Sequence, residues 1–456
     1  MRRRLFALFS LSLILLLGVG CKGLSEQELL SVQPVTLTYW TVFNDVDALQ
    51  QLADAYHREH PYITIDVKQI RYEEFDKLFV NALADDVAPD LVSLHVRWLG
   101  RYQHRLSGMP QSVKIASLTY KGKYSKEPVV TFETHAMPSA RTIQSNFAGT
   151  VAEDVVYDGY IFGLPLTLDS LAIYYNKDLL DQSGIATAPT TWEELRDAIK
   201  ETTRFDANGN IVQSGISLGT SQTIPNATDI FAALMMQNGV NVMDKGTVTL
   251  AYNIRSLQSS HPTLEALRFY TDFARPTKDV YSWNDTLGDA FESFAQGRSV
   301  FYMGFAYDQS RIRARAPQMN LAVIPLPQLN EAKPVNVANY WVESVVLKSE
   351  QRDIAWDFIR FITLPDNIKT YSAATAQPSP LRAHIAEQKE DPTLGPFATQ
   401  VLTAKNWYHG RDIDTANAAL KNLISNYLLP YPEDVNPDKR DQNLLLDTAR
   451  IIQQTL

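Results

Sequence analysis

The sequence predicts an α/β protein of two domains, each built on a mainly parallel sheet flanked by helices. Two observations carry this. Residues 35–94 read strand, helix, strand, helix, strand, which implies a parallel sheet covered by helices. The chain has 456 residues, more than one hydrophobic core usually supports.

The elements follow in order. Val35-Thr36-Leu37-Thr38-Tyr39-Trp40 is β-rich and reads as a first strand. Asp47 to Glu59 carries Leu49, Leu52, Ala53 and Tyr56 on one helical face and ends before Pro61. Ile63, Ile65 and Val67 alternate with polar residues as a second strand. Residues 73–84 form another amphipathic helix, and Ala88-Pro89-Asp90 turns into a third strand. Residues 107–155 show little periodicity and read as a helix or two with loops closing the first domain. Asp158-Gly159 is a hairpin turn, and Thr190 or Thr191 caps a helix starting at Trp192, with Glu193 and Glu194 at its positive end. In parallel sheets ligands bind beyond the carboxyl ends of the strands. Trp40, Phe43 and Asp45 follow the first strand's end, and His95, Arg97 and Trp98 follow the third's.

The N-terminus is an export signal by its parts: Arg2-Arg3-Arg4, an apolar run from Leu5, and small residues before Cys21. The run covers roughly 24 Å as a helix, short of the ~30 Å hydrocarbon core of a bilayer. Cys21 is the only cysteine, so no internal disulfide forms. Its setting resembles a bacterial lipoprotein signal, with Gly18 where leucine is usual. The resemblance implies removal of residues 1–20, lipidation of Cys21, and a tether over residues 21–34, so that the mature protein is anchored to a lipid bilayer outside the cytoplasm.

Composition narrows the partners. The formal charge is -9, and about -12 without the three leading arginines. That argues against nucleic acid, whose phosphates need clustered positive charge. Seven Trp and twenty-one Tyr offer many faces for stacking on sugar rings. No Gly-x-Ser-x-Gly elbow is present, no cofactor fingerprint stands out, and no local feature singles out a glycosidase carboxylate pair. His57 and His60 read as a solvated helix face rather than metal ligands, and Asp206-Ala207-Asn208-Gly209-Asn210 as a hairpin turn rather than a calcium loop.

A longer resemblance begins at Tyr157-Asp158-Gly159-Tyr160-Ile161-Phe162-Gly163-Leu164-Pro165 and continues through Asp169 to Leu180 and Pro189-Thr190-Thr191-Trp192-Glu193-Glu194-Leu195. Phe291 to Gly304, Leu321 to Pro327 and Asn339 to Phe361 extend it. These segments closely resemble the extracellular solute-binding proteins of ABC importers, the family that includes maltose- and other oligosaccharide-binding proteins. The resemblance implies a two-lobed, type II periplasmic-binding-protein fold with a hinged cleft, a carbohydrate ligand, ABC permease subunits as partners, and a monomer without enzymatic activity. It also implies lobe one at 35–167 plus 320–340, and lobe two at 168–319 plus 341–456. The ligand-binding residues it suggests, with the strand-end reading, are Trp40, Asp45, Arg97 and Trp98 from lobe one, and Asp169, Tyr174, Trp283, Asp285, Tyr307 and Trp341 from lobe two. Two places depart from relatives: Asn339-Tyr340 replaces a common glycine pair, and Met303-Gly304-Phe305 lacks a common Pro-Trp. Cargo identity therefore stays open among oligosaccharides, monosaccharides and polyols such as a glycerol phosphate, for which Arg97 would be the cation. A secreted glycoside hydrolase or a structural lipoprotein is the competing class.

Overall fold

The computed structural model describes residues 24–121, 127–257, 260–431 and 433–456. The export segment and Cys21 lie outside these residues. Part of the expected tether is ordered as a short helix, Glu26–Ser31, closed by a reciprocal capping box between Ser25 and Glu28.

The first lobe holds a four-stranded sheet in the order Trp341–Val345, Leu91–His95, Val35–Thr41, Ile63–Gln69. The last three strands are mutually parallel, as expected, and the helices Val46–Glu59 and Tyr72–Ala84 cover them. Trp341–Val345 runs antiparallel to Leu91–His95. The second lobe holds five strands in the order Arg204–Phe205, Ile211–Ile216, Ser299–Gly304, Ala172–Asn176, Leu321–Pro325. Here only Ile211–Ile216 and Ser299–Gly304 pair in parallel, so the expectation of a mainly parallel sheet fails for this lobe. The reason is the same at both sheets. Ala172–Asn176 and Trp341–Val345 enter straight from the other lobe, without the helical crossover that forces parallel pairing.

Three short strands join the lobes: Asp169–Ser170, Asn336–Asn339 and Ala404–Lys405, paired side by side with Asn336–Asn339 in the middle. Each is one passage of the chain between lobes. Asn336, fully buried, ties the passages together: its Nδ2 donates to the Leu171 carbonyl at 2.8 Å and to Gln400 Oε1.

The pairings exchange two segments relative to the sequence expectation. Leu321–Pro325, expected in lobe one, pairs with Ala172–Asn176 in lobe two. Trp341–Val345, expected in lobe two, lies in the first sheet. The helix Arg352–Ile362 packs there too, with Phe358 5.3 Å from Tyr56 and the Tyr56 hydroxyl donating to Asp357 at 2.9 Å. The helix Gly395–Ala398 already touches the second sheet, with Phe397 5.6 Å from Tyr174, and the helices after Ala404–Lys405 lie in lobe two, where Ser221 Oγ donates to the Lys421 carbonyl at 2.9 Å.

Residues 107–155 contain the expected helices, Ala140–Asn146 and Gly149–Val155, and also an antiparallel pair, Ser112–Lys121 with Glu127–Ala136, that periodicity does not reveal. His60 is buried beside Asp357 rather than solvated. Among the described residues no cluster of three or more His, Cys, Asp or Glu is placed to hold a metal ion, and no helix is long and apolar enough to cross a membrane.

Candidate functional site

Two adjoining cavities lie where the lobes face each other across the hinge strands. The inner one, about 170 Å³, is lined by Phe43, Tyr72, His95 and Trp341 from the first lobe and Tyr307 from the second. Thr167, Asp169, Asn339, Tyr340 and Gln377 complete its wall. The outer one, about 410 Å³, is mostly polar and takes Asp45, Gln69, Ser310 and Arg311. Phe43, Tyr307 and Gln377 belong to both.

The aromatic wall follows from strand ends. Phe43 stands two residues past Val35–Thr41, and Trp341 opens the strand next but one in the sheet, across Leu91–His95 and opposite its last residue, so both rings reach the same end of the sheet. Their planes are parallel within 1° at 6.0 Å. Tyr307 comes from the second lobe, after Ser299–Gly304, and meets Phe43 edge-on at 4.8 Å. Behind Trp341 stands Trp98, 5.4 Å away and buried.

The polar side is set by the hinge. Asp169 is buried, and its carboxylate accepts from the backbone N–H of Ser170 at 2.8 Å and of Tyr307 at 3.2 Å. Burial outweighs these bonds and pushes its carboxyl up to about 7. For His95 burial, with the Arg97 charge adding to it, holds the imidazole down to about 4. The ring is therefore neutral. Nδ1 accepts from the Arg97 N–H at 3.3 Å, so Nε2 carries the proton and donates to Asn339 Oδ1 at 2.7 Å.

Of the sequence-predicted residues, Asp169, Tyr307 and Trp341 line the inner cavity and Asp45 the outer. The others line neither. Trp40 lies within the strand, half-buried, in register with Lys68 and Val92. Arg97 turns inward to an ion pair with Asp229 at 2.6 Å, 4.8 Å over the Trp407 ring. Trp98 backs the wall without reaching the cavity. Tyr174 sits on a central strand buried on both faces, its hydroxyl donating to the Phe305 carbonyl at 2.7 Å. Trp283 and Asp285 meet on Thr223 instead: Trp283 Nε1 donates to its hydroxyl at 3.2 Å, and that hydroxyl donates to Asp285 at 2.8 Å.

Phe43 and His95 were visible as strand-end residues, and a literal reading of the strand-end rule favours Phe43 over Trp40, which is still inside its strand. Tyr72, Thr167 and Gln377 carry no local signal, and Asn339 is marked only by the departure of Asn339-Tyr340 from relatives. The fold brings them in from four separate segments.

Comparison with known proteins agrees with this geometry. A family model described as bacterial extracellular solute-binding protein matches residues 51–396. The melibiose/raffinose/stachyose-binding protein MelE of Bacillus subtilis (strain 168) is 23% identical over 391 residues, spanning 82% of this chain and 80% of MelE. Two solved structures share the fold over 92% of this chain and 99% of theirs, each at 16% identity. One is the cyclic α-maltosyl-1,6-maltose binding protein from Arthrobacter globiformis, with a TM-score of 0.69. The other is UgpB from Mycobacterium tuberculosis in complex with glycerophosphocholine, with a TM-score of 0.68. With two sheets joined by three hinge strands around a shared cleft, and three quarters of its length matched by the family model, the chain belongs to the bacterial extracellular solute-binding proteins.

Proposed function

We propose that this chain is the substrate-binding component of an ABC importer and that its cargo is a carbohydrate. One observation carries the reading: a single cavity joins the ring faces of Phe43 and Trp341 to the polar groups of Asp169, Asn339, Thr167 and Gln377. Rings of that kind cover the apolar face of a sugar, and the polar groups take its hydroxyls. Asp169 accepts from a hydroxyl. Asn339, whose oxygen is taken by His95, offers its amide nitrogen as donor.

Both lobes and the hinge contribute to this wall, so cargo held there gains contacts only when the lobes are together. A ligand shifts the hinge by its differential affinity for the two arrangements. The closed surface then docks on the permease, and opening there releases the cargo. Lipidation of Cys21 keeps the chain, as a monomer, on the extracellular or periplasmic face of the cell membrane beside its permease.

The cavity is a poor match to the competing readings. Glycoside hydrolysis uses two carboxylates, and Asp169 is the one carboxylate among the residues lining the inner cavity. Arg97, the cation a phosphorylated cargo would use, is engaged by Asp229 at 2.6 Å and lines neither cavity, and Arg311, paired with Asp308 at 2.6 Å, lines the outer cavity and not the inner one.

The test is a thermal-shift screen with melibiose, raffinose, stachyose, maltodextrins and glycerophosphocholine. A sugar bound to the native form raises the midpoint, by about 2.7 kcal/mol of stabilisation at a hundred times its Kd. A midpoint that no sugar moves at millimolar concentration, or that glycerophosphocholine alone moves, defeats the carbohydrate reading. Labelling with radioactive palmitate, present in the wild type and lost in Cys21→Ser, tests the anchor.

A further inference from the structure

Phe43 reaches the cavity from a short connection between the strand Val35–Thr41 and the helix Val46–Glu59. The residue is 43% exposed, and its ring packs on Tyr307 and Trp341. Those contacts lie on the cavity side and do not anchor the loop. Its neighbour Asn44 does. The Asn44 Nδ2 donates to Oε1 of Glu343 at 2.8 Å and to the Ser93 hydroxyl at 3.1 Å, while its backbone N–H donates to the Thr41 hydroxyl at 3.3 Å.

Glu343 stands two residues after Trp341 on the same strand, so the two share a face of the sheet. Trp341 faces the cavity. Glu343 lies 1% exposed under the loop, where its other carboxyl oxygen accepts from the Tyr39 hydroxyl. Lone buried carboxylates are costly, and an apolar side chain would fill this part of a sheet core without that cost. What the carboxyl adds is a point on which the donors Tyr39, Asn44 and Ser93 converge.

We propose that Glu343 is a positioning residue for cargo binding, fixing through Asn44 the loop that carries Phe43 to the cavity while making no contact with cargo itself. The role in affinity rests on the carbohydrate reading, whereas the link from Glu343 to Phe43 does not. Burial supports the link by making it titratable near neutrality, since it pushes the Glu343 carboxyl up to about 7. The titratable groups facing that carboxyl are the phenols of Tyr39 on the first strand and Tyr371 on the helix Pro365–Thr375, with Asp45 beyond Tyr371. On the cavity side Phe43 is also near Asp169, through Tyr307.

The experiment is ¹⁹F NMR without any sugar, on chains carrying 4-fluorophenylalanine at position 43 or, as a fold control, at position 79 in the buried core. In Glu343→Gln and Asn44→Ala the position-43 resonance shifts and broadens, while the position-79 resonance stays in place. In the wild type the position-43 resonance titrates near neutral pH. That titration disappears in Glu343→Gln and persists in Asp169→Asn, which removes the carboxyl beyond Tyr307, and in Asp45→Asn, which removes the one beyond Tyr371. If Glu343→Gln does not fold, Asn44→Ala decides the matter, because it cuts the link at a half-buried residue outside the sheet. A position-43 resonance unmoved by Asn44→Ala, or titrating unchanged in Glu343→Gln, overturns the proposal. Raffinose affinity supplies the second arm: Asn44→Ala weakens it roughly tenfold, the size of one hydrogen bond to a charged group. A wild type that ignores raffinose and every other sugar defeats the carbohydrate reading, while the resonance at position 43 still decides the link to Glu343.

Discussion

The rings of Phe43 and Tyr307 meet edge-on at 4.8 Å and 77°, one from each lobe, and divide the cleft into its inner and outer cavities. This contact exists only while the lobes are together, so cargo stacked beside it reports on closure as well as on affinity. Phe43→Ala removes one face from the sugar and one half of the contact. Burying an aromatic side chain contributes about 1.5–3 kcal/mol, so the expected loss is roughly tenfold to a hundredfold in Kd. Because Phe43 is exposed, the melting temperature stays close to wild type. Calorimetric titration with the sugar that passes the screen checks this, and an unchanged Kd would move the cargo out of the inner cavity.

Arg97 and Asp229 make a second tie between lobes. Arg97 follows the third strand of the first sheet, and Asp229 lies in the first turn of the helix Ala227–Gln237 in the second lobe. Their 2.6 Å ion pair is buried, and Trp407 completes it, with its Nε1 donating to Asp229 at 2.7 Å. Breaking one partner of a buried pair strands the other, at about 3–5 kcal/mol. Arg97→Met and Asp229→Leu should therefore each destabilise the chain strongly. The double variant should lose less than the sum, since neither charge is left alone. Denaturant melts of the four proteins measure the coupling, and strictly additive losses would show that the pair is not a unit.

Local chemistry made much of the fold legible. Asp158 and Gly159 do form a tight turn with positive φ, 49° and 83°, joining Val156–Tyr157 to Tyr160–Ile161. Thr191 and Glu194 form the capping box of Trp192–Thr202. Both signals span a few residues and need no tertiary context. The antiparallel pair Ser112–Lys121 with Glu127–Ala136 escaped because its second strand buries Val130 alone and leaves Phe132 exposed among polar residues, so no period of two survives. The exchange of 321–325 and 341–345 escaped for another reason. Either strand fits either sheet by composition, and only the pairing across the hinge decides. The site was harder still. Aromatic and charged residues beside strand ends were the right class, but Arg97 and Trp98 turn into a tight 3-10 turn and bury, while Asn339 and Gln377 become neighbours of Asp169 only through the hinge crossings.

The raised carboxyl of Glu343 fixes the sign of a pH effect on stability. Its ordinary value is 4.5 and burial moves it to about 7 in the folded state. Between those values the folded chain holds a proton that the unfolded chain has lost, so this group's contribution falls as pH rises through the window and is level above it. Glu343→Gln cannot titrate. The wild type should therefore lose stability relative to this variant between about pH 5 and pH 7.5, by up to about 3 kcal/mol. Parallel melts across that range check it, and a constant difference would mean that the carboxyl stays within its usual range.

His409 gives the opposite case, a cation that gains a partner. Its Nε2 lies 2.6 Å from Asp154, a carboxylate 1% exposed that also accepts from the hydroxyls of Tyr340 and Thr150. Burial alone would push the imidazole down, but the hydrogen bond and the charge of Asp154 together push it above its ordinary value of 6.5. For a raised base the stabilisation is fully present below the unfolded value and is lost as pH climbs through the folded one. His409→Gln keeps a donor but no charge. The variant should therefore be less stable than the wild type at about pH 5.5, and the gap should narrow as the pH rises toward about 8.5. Tyr340 lies at the end of the hinge strand Asn336–Asn339 and shares Asp154 with His409, so the same charge bears on the passage between lobes. Melts at the two pH values separate the outcomes: a gap of equal size at both would show that His409 is neutral throughout and that Asp154 binds it as an ordinary hydrogen-bond donor.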